Sequence, residues 1–314
     1  MYMKYWAKLP FMPVPGPMLL CLVLRRGVDS MSVSTLMSID LRSSPVDEVL
    51  GRVERALDTC LDREGLVRKR RTLGAVSDRG TWVRIERRIT AKIGAQGWNG
   101  AECAAVLRDV AMPVWRAGAS WREPSGEVMW RADEMELLPA LPVKPAGVLT
   151  ADPGLPEDWW AGLNSSLDAL AVQETTRVAT PDTVMISRRH VAETVEAVFG
   201  VSVDASIDQW APAHADFHWA NITGPAFCVF DWEDWGMAPR GLDAANLWSN
   251  SLAVPALAER VRRERERDLG SRDGKVMMLF CLAKIVGPHA HPDDPRLGPA
   301  REDAARLVAE LRRA

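Results

Sequence analysis

The sequence predicts an α+β chain: a small antiparallel β-sheet lobe followed by a larger, mainly helical lobe. Three observations carry this. Between residues 66 and 138, short β-rich runs alternate with turn signals. Residues 139–156 are rich in proline and glycine (Pro139, Pro142, Pro145, Gly147, Pro153, Gly154, Pro156) and read as a linker. Beyond residue 157 apolar residues return at helical spacing. The expected division is a leader over 1–40, a first lobe over 41–138, the linker over 139–156 and a second lobe over 157–314.

Each element has a local reason. Val46, Val49, Leu50, Val53, Leu57 and Leu61 recur every three or four residues, which predicts a helix over 45–64 with Ser44 as its cap. Thr72–Ser77 and Thr81–Arg87 read as strands joined by the turn Asp78-Arg79-Gly80. A third short strand is expected around Thr90–Ile93, then a helix over 100–109, then strands over 114–121 and 127–132. In the second lobe the pattern predicts helices over 158–171, 187–199, 244–267, 275–286 and 299–313. Short β-rich runs interrupt them between Ala213 and Trp232.

Composition narrows the function. The 314 residues carry 39 Lys+Arg against 42 Asp+Glu, a net charge of -3, which leaves no electrostatic footprint for nucleic acid or an anionic membrane. The five cysteines (21, 60, 103, 228, 281) form no CxxC pair, so neither a disulfide framework nor a zinc knuckle is expected, and a reducing cytoplasm suits free thiols. The apolar run Met18–Leu24 is too short to span a bilayer, and Arg25-Arg26 follows where a signal peptidase would need small residues. Residues 1–40 therefore read as a disordered leader. Thirteen tryptophans against two tyrosines are the one compositional excess.

The chemistry is concentrated in residues 213–246, AHADFHWANITGPAFCVFDWEDWGMAPRGLDAAN. Asn221 and Asp231 flank Ile222-Thr223, a Gly224-Pro225 turn and the apolar run Phe227–Phe230. That pattern is a tight hairpin, and a hairpin brings its two ends together. An amide oxygen and a carboxylate delivered to one point are hard ligands suited to Mg²⁺. Asp216 lies five residues before Asn221, near that metal position but not obliged to bind it. A second arrangement is open: His214, Asp216 and His218 alternate, and on a strand all three would face one side as the metal triad of a hydrolase. Glu233 and Asp234 read either as a solvated loop or as an acidic wall that would suit a cationic acceptor, and Trp219, Trp232 and Trp235, around the same point, read either as core packing or as aromatic faces for such an acceptor.

His214-Ala215-Asp216 through Asn221 resembles the H-x-D-x-x-x-x-N catalytic loop shared by protein kinases and the aminoglycoside phosphotransferase and choline kinase-like family. Asp231-Trp232 resembles that family's second metal motif, and Asp243 resembles the aspartate that opens the next helix and braces the loop. The resemblance implies a two-lobed, protein-kinase-like fold and transfer of the γ-phosphoryl group of ATP to a hydroxyl of a small molecule. It implies Asp216 as the group taking or orienting the hydroxyl proton, Asn221 and Asp231 as Mg²⁺ ligands, and His214 and Asp243 as structural members of the loop. His218, Trp219, Glu233, Asp234 and Trp235 would face the acceptor. In the first lobe the resemblance implies a basic residue on a strand, for which Arg84 and Lys92 are both candidates, paired with a helix glutamate, Glu102. Gly80 would sit in a turn over the phosphates. The missing G-x-G-x-x-G keeps a nucleotide-binding pseudokinase as an alternative.

Overall fold

The computed structural model describes residues 39–94, 96–200 and 203–313, and the chain divides into two units. The first comprises the described residues up to Trp98 together with Val114–Leu137; the second comprises Asn99–Pro113 and the chain from Leu138 onward. The leader expected over 1–40 falls, but for its last two residues, outside the described residues.

In the first unit α1 (Asp47–Leu57) precedes five antiparallel strands: β1 (Val67–Arg68), β2 (Thr72–Val76), β3 (Thr81–Ile89), β4 (Trp115–Arg122) and β5 (Val128–Glu136). Their order across the sheet is β1-β2-β3-β5-β4. Strand alternation decides which side chains enter the core. Val83 and Ile85 of β3 join Leu73, Ala75, Val128, Trp130 and Ala132 under Leu50, Val53 and Leu57 of α1. Trp82, Arg84, Glu86 and Arg88 occupy the other face of β3. The Trp82 ring lies flat over Gly74, where a Cβ would meet it at 2.1 Å.

Three expectations for this unit are corrected. The first helix stops at Leu57 rather than 64, because Asp58 turns left-handed (φ +52) and Leu61 bridges Ser77 at the sheet edge. Ser44 does not cap it: its hydroxyl donates to the Asp40 carbonyl, and Val46 sits at the cap position. Thr90–Lys92 form a 3-10 turn, not a third strand.

The second unit opens with α2 (Gly100–Ala104), five residues long, where ten were expected; Asp109 is left-handed (φ +59) and the chain has left the helix before it. The stretch expected as a linker is woven into this unit. β6 (Leu141–Pro142) pairs with β8 (Thr223–Gly224), and the Lys144 amide donates to the Trp219 carbonyl. Next come α3 (Glu157–Ala171), α4 (Arg188–Phe199), β7 (Trp210–Ala213) paired with β9 (Gly236–Pro239), and α5 (Leu242–Ser249). α6 (Pro255–Glu264), α7 (Glu266–Leu269), α8 (Arg272–Val286) and α9 (Leu297–Leu311) complete it. The single helix expected over 244–267 is three, since Pro255 starts a new one and Arg265 breaks it.

α8 is the centre of this unit: Val276–Ala283 are all buried, against α5, α4 and α9. Trp159 of α3 stacks on Trp219 with ring centroids 5.9 Å apart, and its indole N–H donates to the Thr223 carbonyl at 2.7 Å. Thus the helical core grips the segment 213–231 from one side. Among the described residues no helix is long and apolar enough to cross a membrane. The observed class is the expected one: α+β, an antiparallel sheet unit and a larger mainly helical unit.

Candidate active site

The segment after β7 is held by one carboxylate. Asp243, in the first turn of α5, accepts the His214 amide at 2.7 Å and the Ala215 amide at 2.8 Å. Those two bonds fix Ala215 in the left-handed region (φ +72), a conformation that costs a non-glycine residue about 1 kcal/mol or more. Asn246, one turn along α5, donates to the Ala215 carbonyl at 3.4 Å. The His214 ring, fully buried, points the other way and meets the Phe230 carbonyl at 3.1 Å. A carbonyl only accepts, so Nε2 of His214 carries the proton. This bond ties the loop to the residue before Asp231, which is itself left-handed (φ +69).

The expected hairpin forms. Ile222 bridges Val229, the Phe230 amide donates to the Asn221 carbonyl, and the Thr223 amide donates to the Cys228 carbonyl. Asn221 therefore lies opposite Phe230, one residue from Asp231. Its side chain reaches back to Asp216: Nδ2 donates to the Asp216 backbone carbonyl at 2.9 Å and to Oδ2 at 2.8 Å. The other carboxylate oxygen of Asp216 lies 3.2 Å from Nε2 of His218. The Ala220 amide donates to Nδ1 of His218 at 3.1 Å.

The charges follow from these contacts. Burial works to raise the Asp216 carboxyl, but the His218 hydrogen bond and charge, His214 and Asn221 outweigh it and hold it at about 2. Burial depresses His214, against the opposing pull of Asp243 and Asp216, so the ring is neutral. Burial also pushes the Asp243 carboxyl up, opposed by His214 and the two amides. For His218, burial opposes charging while Asp216 and Asp231 favour it, with a net rise. The Ala220 amide resists that rise, because a second proton on Nδ1 would have to displace it.

The donor set fits a hard cation. With Nδ2 of Asn221 committed to Asp216, Oδ1 takes no part in that pair, and Asp231 adds an exposed carboxylate. One amide oxygen and one carboxylate, with the remaining positions left for water and phosphate oxygens, is a donor set that could hold Mg²⁺. The alternative triad does not form. β7 ends at Ala213, the left-handed Ala215 breaks the strand alternation, His214 is bonded to Phe230 and His218 to Asp216. Among the described residues no group of three or more His, Cys, Asp or Glu could hold a metal ion.

The aromatic residues expected at the acceptor are core instead. Trp219, Trp232 and Trp235 are all buried, and each indole N–H is used internally: Trp219 on Ser251, Trp232 on the Val229 carbonyl, Trp235 on the Gly100 carbonyl. The Glu233 main chain is gripped too. Its carbonyl accepts from Arg177 at 3.3 Å, and a Cβ on Gly100 would meet it at 2.3 Å. Asp234 accepts from the Thr180 hydroxyl at 2.6 Å. Burial, with Glu233, Asp216 and Asp231 adding repulsion and Thr180 opposing, pushes Asp234 up to about 6. Thr180 and Arg177 were not legible in the sequence, since each lies more than fifty residues from its partner.

In the sheet unit Arg84 sits on β3 as expected, but its ion partner is Glu86 on the same strand, at 2.9 Å. Arg88 takes the other oxygen of Glu86 at 2.7 Å, and Arg131 and Asp133 of β5 form a second buried pair opposite. The spacing Arg84, Glu86, Arg88 was a readable signal for this charged face. Lys92 is exposed in the 3-10 turn, not on a strand, because β3 ends at Ile89. Glu102 is carried by α2 in the helical unit. The Gly80 turn does not present amides to a phosphate. The amides of Asp78, Arg79, Gly80 and Thr81 donate to Cys60, Ser77 Oγ, the Ser77 carbonyl and Ser77 Oγ.

Comparison with protein-family models and with curated proteins finds no match. Solved structures do match. The chain is similar to the amicoumacin kinase hAmiN in complex with AMP-PNP, Ca²⁺ and Ami: 11% identity, 91% of this chain and 96% of that one covered, TM-score 0.48. It is also similar to a choline/ethanolamine kinase family protein from Mesorhizobium loti: 15% identity, 90% and 100% covered, TM-score 0.43. A third is an aminoglycoside phosphotransferase from Alicyclobacillus acidocaldarius subsp. acidocaldarius DSM 446: 13% identity, 79% and 91% covered, TM-score 0.40.

Two outcomes are expected. Asp243→Asn turns one acceptor into a donor facing an amide, and should cost about 3 kcal/mol of stability in urea denaturation; an unchanged midpoint would contradict the bracing role. Asp234 has a folded-state value raised from 3.8 to about 6, so its contribution to stability is present below 3.8 and is lost as pH rises through about 6. In metal-free buffer Asp234→Asn should therefore be more stable than wild type above that value, by about 1–2 kcal/mol, and equal to it in acid. Thermal denaturation against pH checks this, and a constant difference across the range would refute it.

Proposed function

We propose that this protein is a phosphotransferase that uses Mg²⁺ and ATP to phosphorylate a hydroxyl of a small molecule. One observation carries the reading. Asn221 binds Asp216 through Nδ2 at 2.8 Å while the hairpin sets its backbone beside Asp231. The contact of Asn221 with Asp216, and the pairing of Asn221 with the residue before Asp231, support a site in which Asp216 is the base and Asn221 and Asp231 are metal ligands, and the neighbours of Asp216 favour its ionised state.

In this reading the acceptor hydroxyl donates to Asp216 as its oxygen approaches the γ-phosphorus. The acceptor oxygen would form its bond to the γ-phosphorus as the bond from that phosphorus to the β-γ bridging oxygen breaks; the hydroxyl proton would pass to the Asp216 carboxylate and ADP would leave. A carboxylate held at about 2 is a weak base, so its role is orientation first and proton acceptance late in the transfer. Asn221 Oδ1 and Asp231 would hold Mg²⁺, which neutralises charge on the phosphate oxygens. His214 and Asp243 keep the loop in register. The charged face of β3, with Arg84, is the part of the sheet unit suited to phosphate. Arginine pairs phosphate in a bidentate way that lysine does not.

The acceptor class follows from the surroundings of Asp216. Asp231, Glu233 and Asp234 make the neighbourhood acidic, which favours an acceptor that carries a positive charge, such as an amino sugar or a quaternary amine. A nucleotide-binding protein without transfer is the second reading, and the pairing of Arg84 with Glu86 on its own strand, where the resemblance implies a helix glutamate, is what favours it.

An ATP-consumption screen across hydroxyl metabolites and amino sugars, followed by phosphoryl-product detection, tests the proposal. Wild type should transfer to at least one cationic acceptor, only with Mg²⁺, and Asp216→Asn should lower kcat by ~10²-fold or more. Transfer at the wild-type rate by Asp216→Asn would overturn the mechanism. ATP binding with no transfer to any acceptor would favour the second reading.

A further inference from the structure

His218 stands apart from the acceptor role expected of it. Its ring is clamped at both nitrogens. The Ala220 amide donates to Nδ1 at 3.1 Å, and Nε2 lies 3.2 Å from Asp216 Oδ1. An amide N–H can only donate, so Nδ1 must offer its lone pair. The proton then resides on Nε2, aimed at the carboxylate. The local turn enforces this, since the Asn221 amide also donates back to the His218 carbonyl. Trp219 between them is fixed by Ser251 through its indole and by the Lys144 amide through its carbonyl.

The outcome is symmetrical about Asp216. Asn221 donates to Oδ2 at 2.8 Å, and His218 donates to Oδ1. A carboxylate held by one oxygen still rotates about its Cβ–Cγ bond. Held by both, it has a fixed plane, and each oxygen keeps one in-plane lone pair for another donor.

We propose that His218 is a positioning residue for Asp216: the Ala220 amide selects its Nε2–H tautomer, and that tautomer fixes the plane of the carboxylate that receives the acceptor hydroxyl. The inference rests on the phosphotransferase reading. It assigns His218 no proton-transfer step, because Nδ1 is already occupied and the ring has no free acceptor to relay with. It also predicts an asymmetry between two conservative replacements. Glutamine places an amide nitrogen where Nε2 lies and keeps the donor to Asp216. Asparagine places an amide oxygen where Nδ1 lies and keeps the acceptor for Ala220, but loses the donor to Asp216.

The test compares His218→Gln and His218→Asn with wild type and Asp216→Asn, using the acceptor found in the screen. His218→Asn should lower kcat by ~10- to 100-fold with the KM for ATP within about twofold, as expected for a displaced reacting group, while His218→Gln stays within about fivefold of wild-type kcat. The reverse order would show that His218 merely shapes the turn and would overturn the proposal, as would wild-type kcat in both variants while Asp216→Asn is inactive. That last pattern leaves the phosphotransferase reading standing. A wild type that transfers nothing overturns that reading and the positioning role with it. Side-chain ¹⁵N spectra of the full-length protein at mildly alkaline pH give a readout free of activity. The ring resonances absent from His218→Gln should show a protonated Nε2 that shifts in Asp216→Asn. A protonated Nδ1 would refute the tautomer and the proposal.

Discussion

The grip of Asp243 on the amides of His214 and Ala215 is the contact on which the candidate site depends. It is a buried carboxylate with two short donors, the kind of charge-assisted pair that is strong when complete and costly when half-made. It sets the left-handed Ala215, and with it the direction in which Asp216 leaves the strand. From the same anchor His214 reaches the carbonyl of Phe230, so the second half of the hairpin is registered against the first. Every polar contact of Asp216, Asn221 and His218 is built on a backbone that this one interaction has already fixed. The strain at Ala215 and Asp231 persists because these bonds over-determine the loop.

Around this anchor the helical unit supplies rigidity more than chemistry. Trp159, Trp219, Trp232 and Trp235 are buried with their indole donors satisfied inside the unit. These four tryptophans therefore pack the candidate site from within the unit. Gly100 is necessary for the same reason, since its missing side chain lets the backbone of Trp232 and Glu233 approach within van der Waals limits. The sheet unit is organised on a different basis. An apolar face under α1 is backed by a face of alternating charge on β3 and β5, where Arg84, Glu86, Arg88, Arg131 and Asp133 neutralise one another in ladders.

What was legible in the sequence was local. The hairpin between Asn221 and Asp231 is set by neighbours within a few residues, and turn chemistry reports such neighbours well, whereas the roles of His214 and Asp243 were reached only through the resemblance, since their contact spans nearly thirty residues. The strand alternation of β3 likewise placed Arg84 on the face opposite the core. What was not legible was long-range or depended on termination. Thr180 finds Asp234, and Arg177 finds Glu233, across more than fifty residues. Trp219 and Trp235 looked as fit for an acceptor wall as for a core, since composition does not say which face of a loop is covered. Lys92 was placed on a strand and the helix at Gly100 was drawn too long because a 3-10 turn, or a helix end at a right-handed residue such as Ala105, comes without any change in residue type. The proline- and glycine-rich stretch read as a linker, and its residues Leu141–Pro142 pair with Thr223–Gly224, a long-range contact that composition does not report.

In the proposed reaction Asn221 and Asp231 bring a Mg²⁺-bound phosphate to face Asp216. A crystal structure of the full chain with Mg²⁺ and a non-hydrolysable ATP analogue tests this. The metal should have Asn221 Oδ1 and an Asp231 oxygen at about 2.1 Å, with the γ-phosphate directed toward the Asp216 carboxylate. A nucleotide bound with neither residue on the metal, or with its terminal phosphate turned away from Asp216, would contradict it.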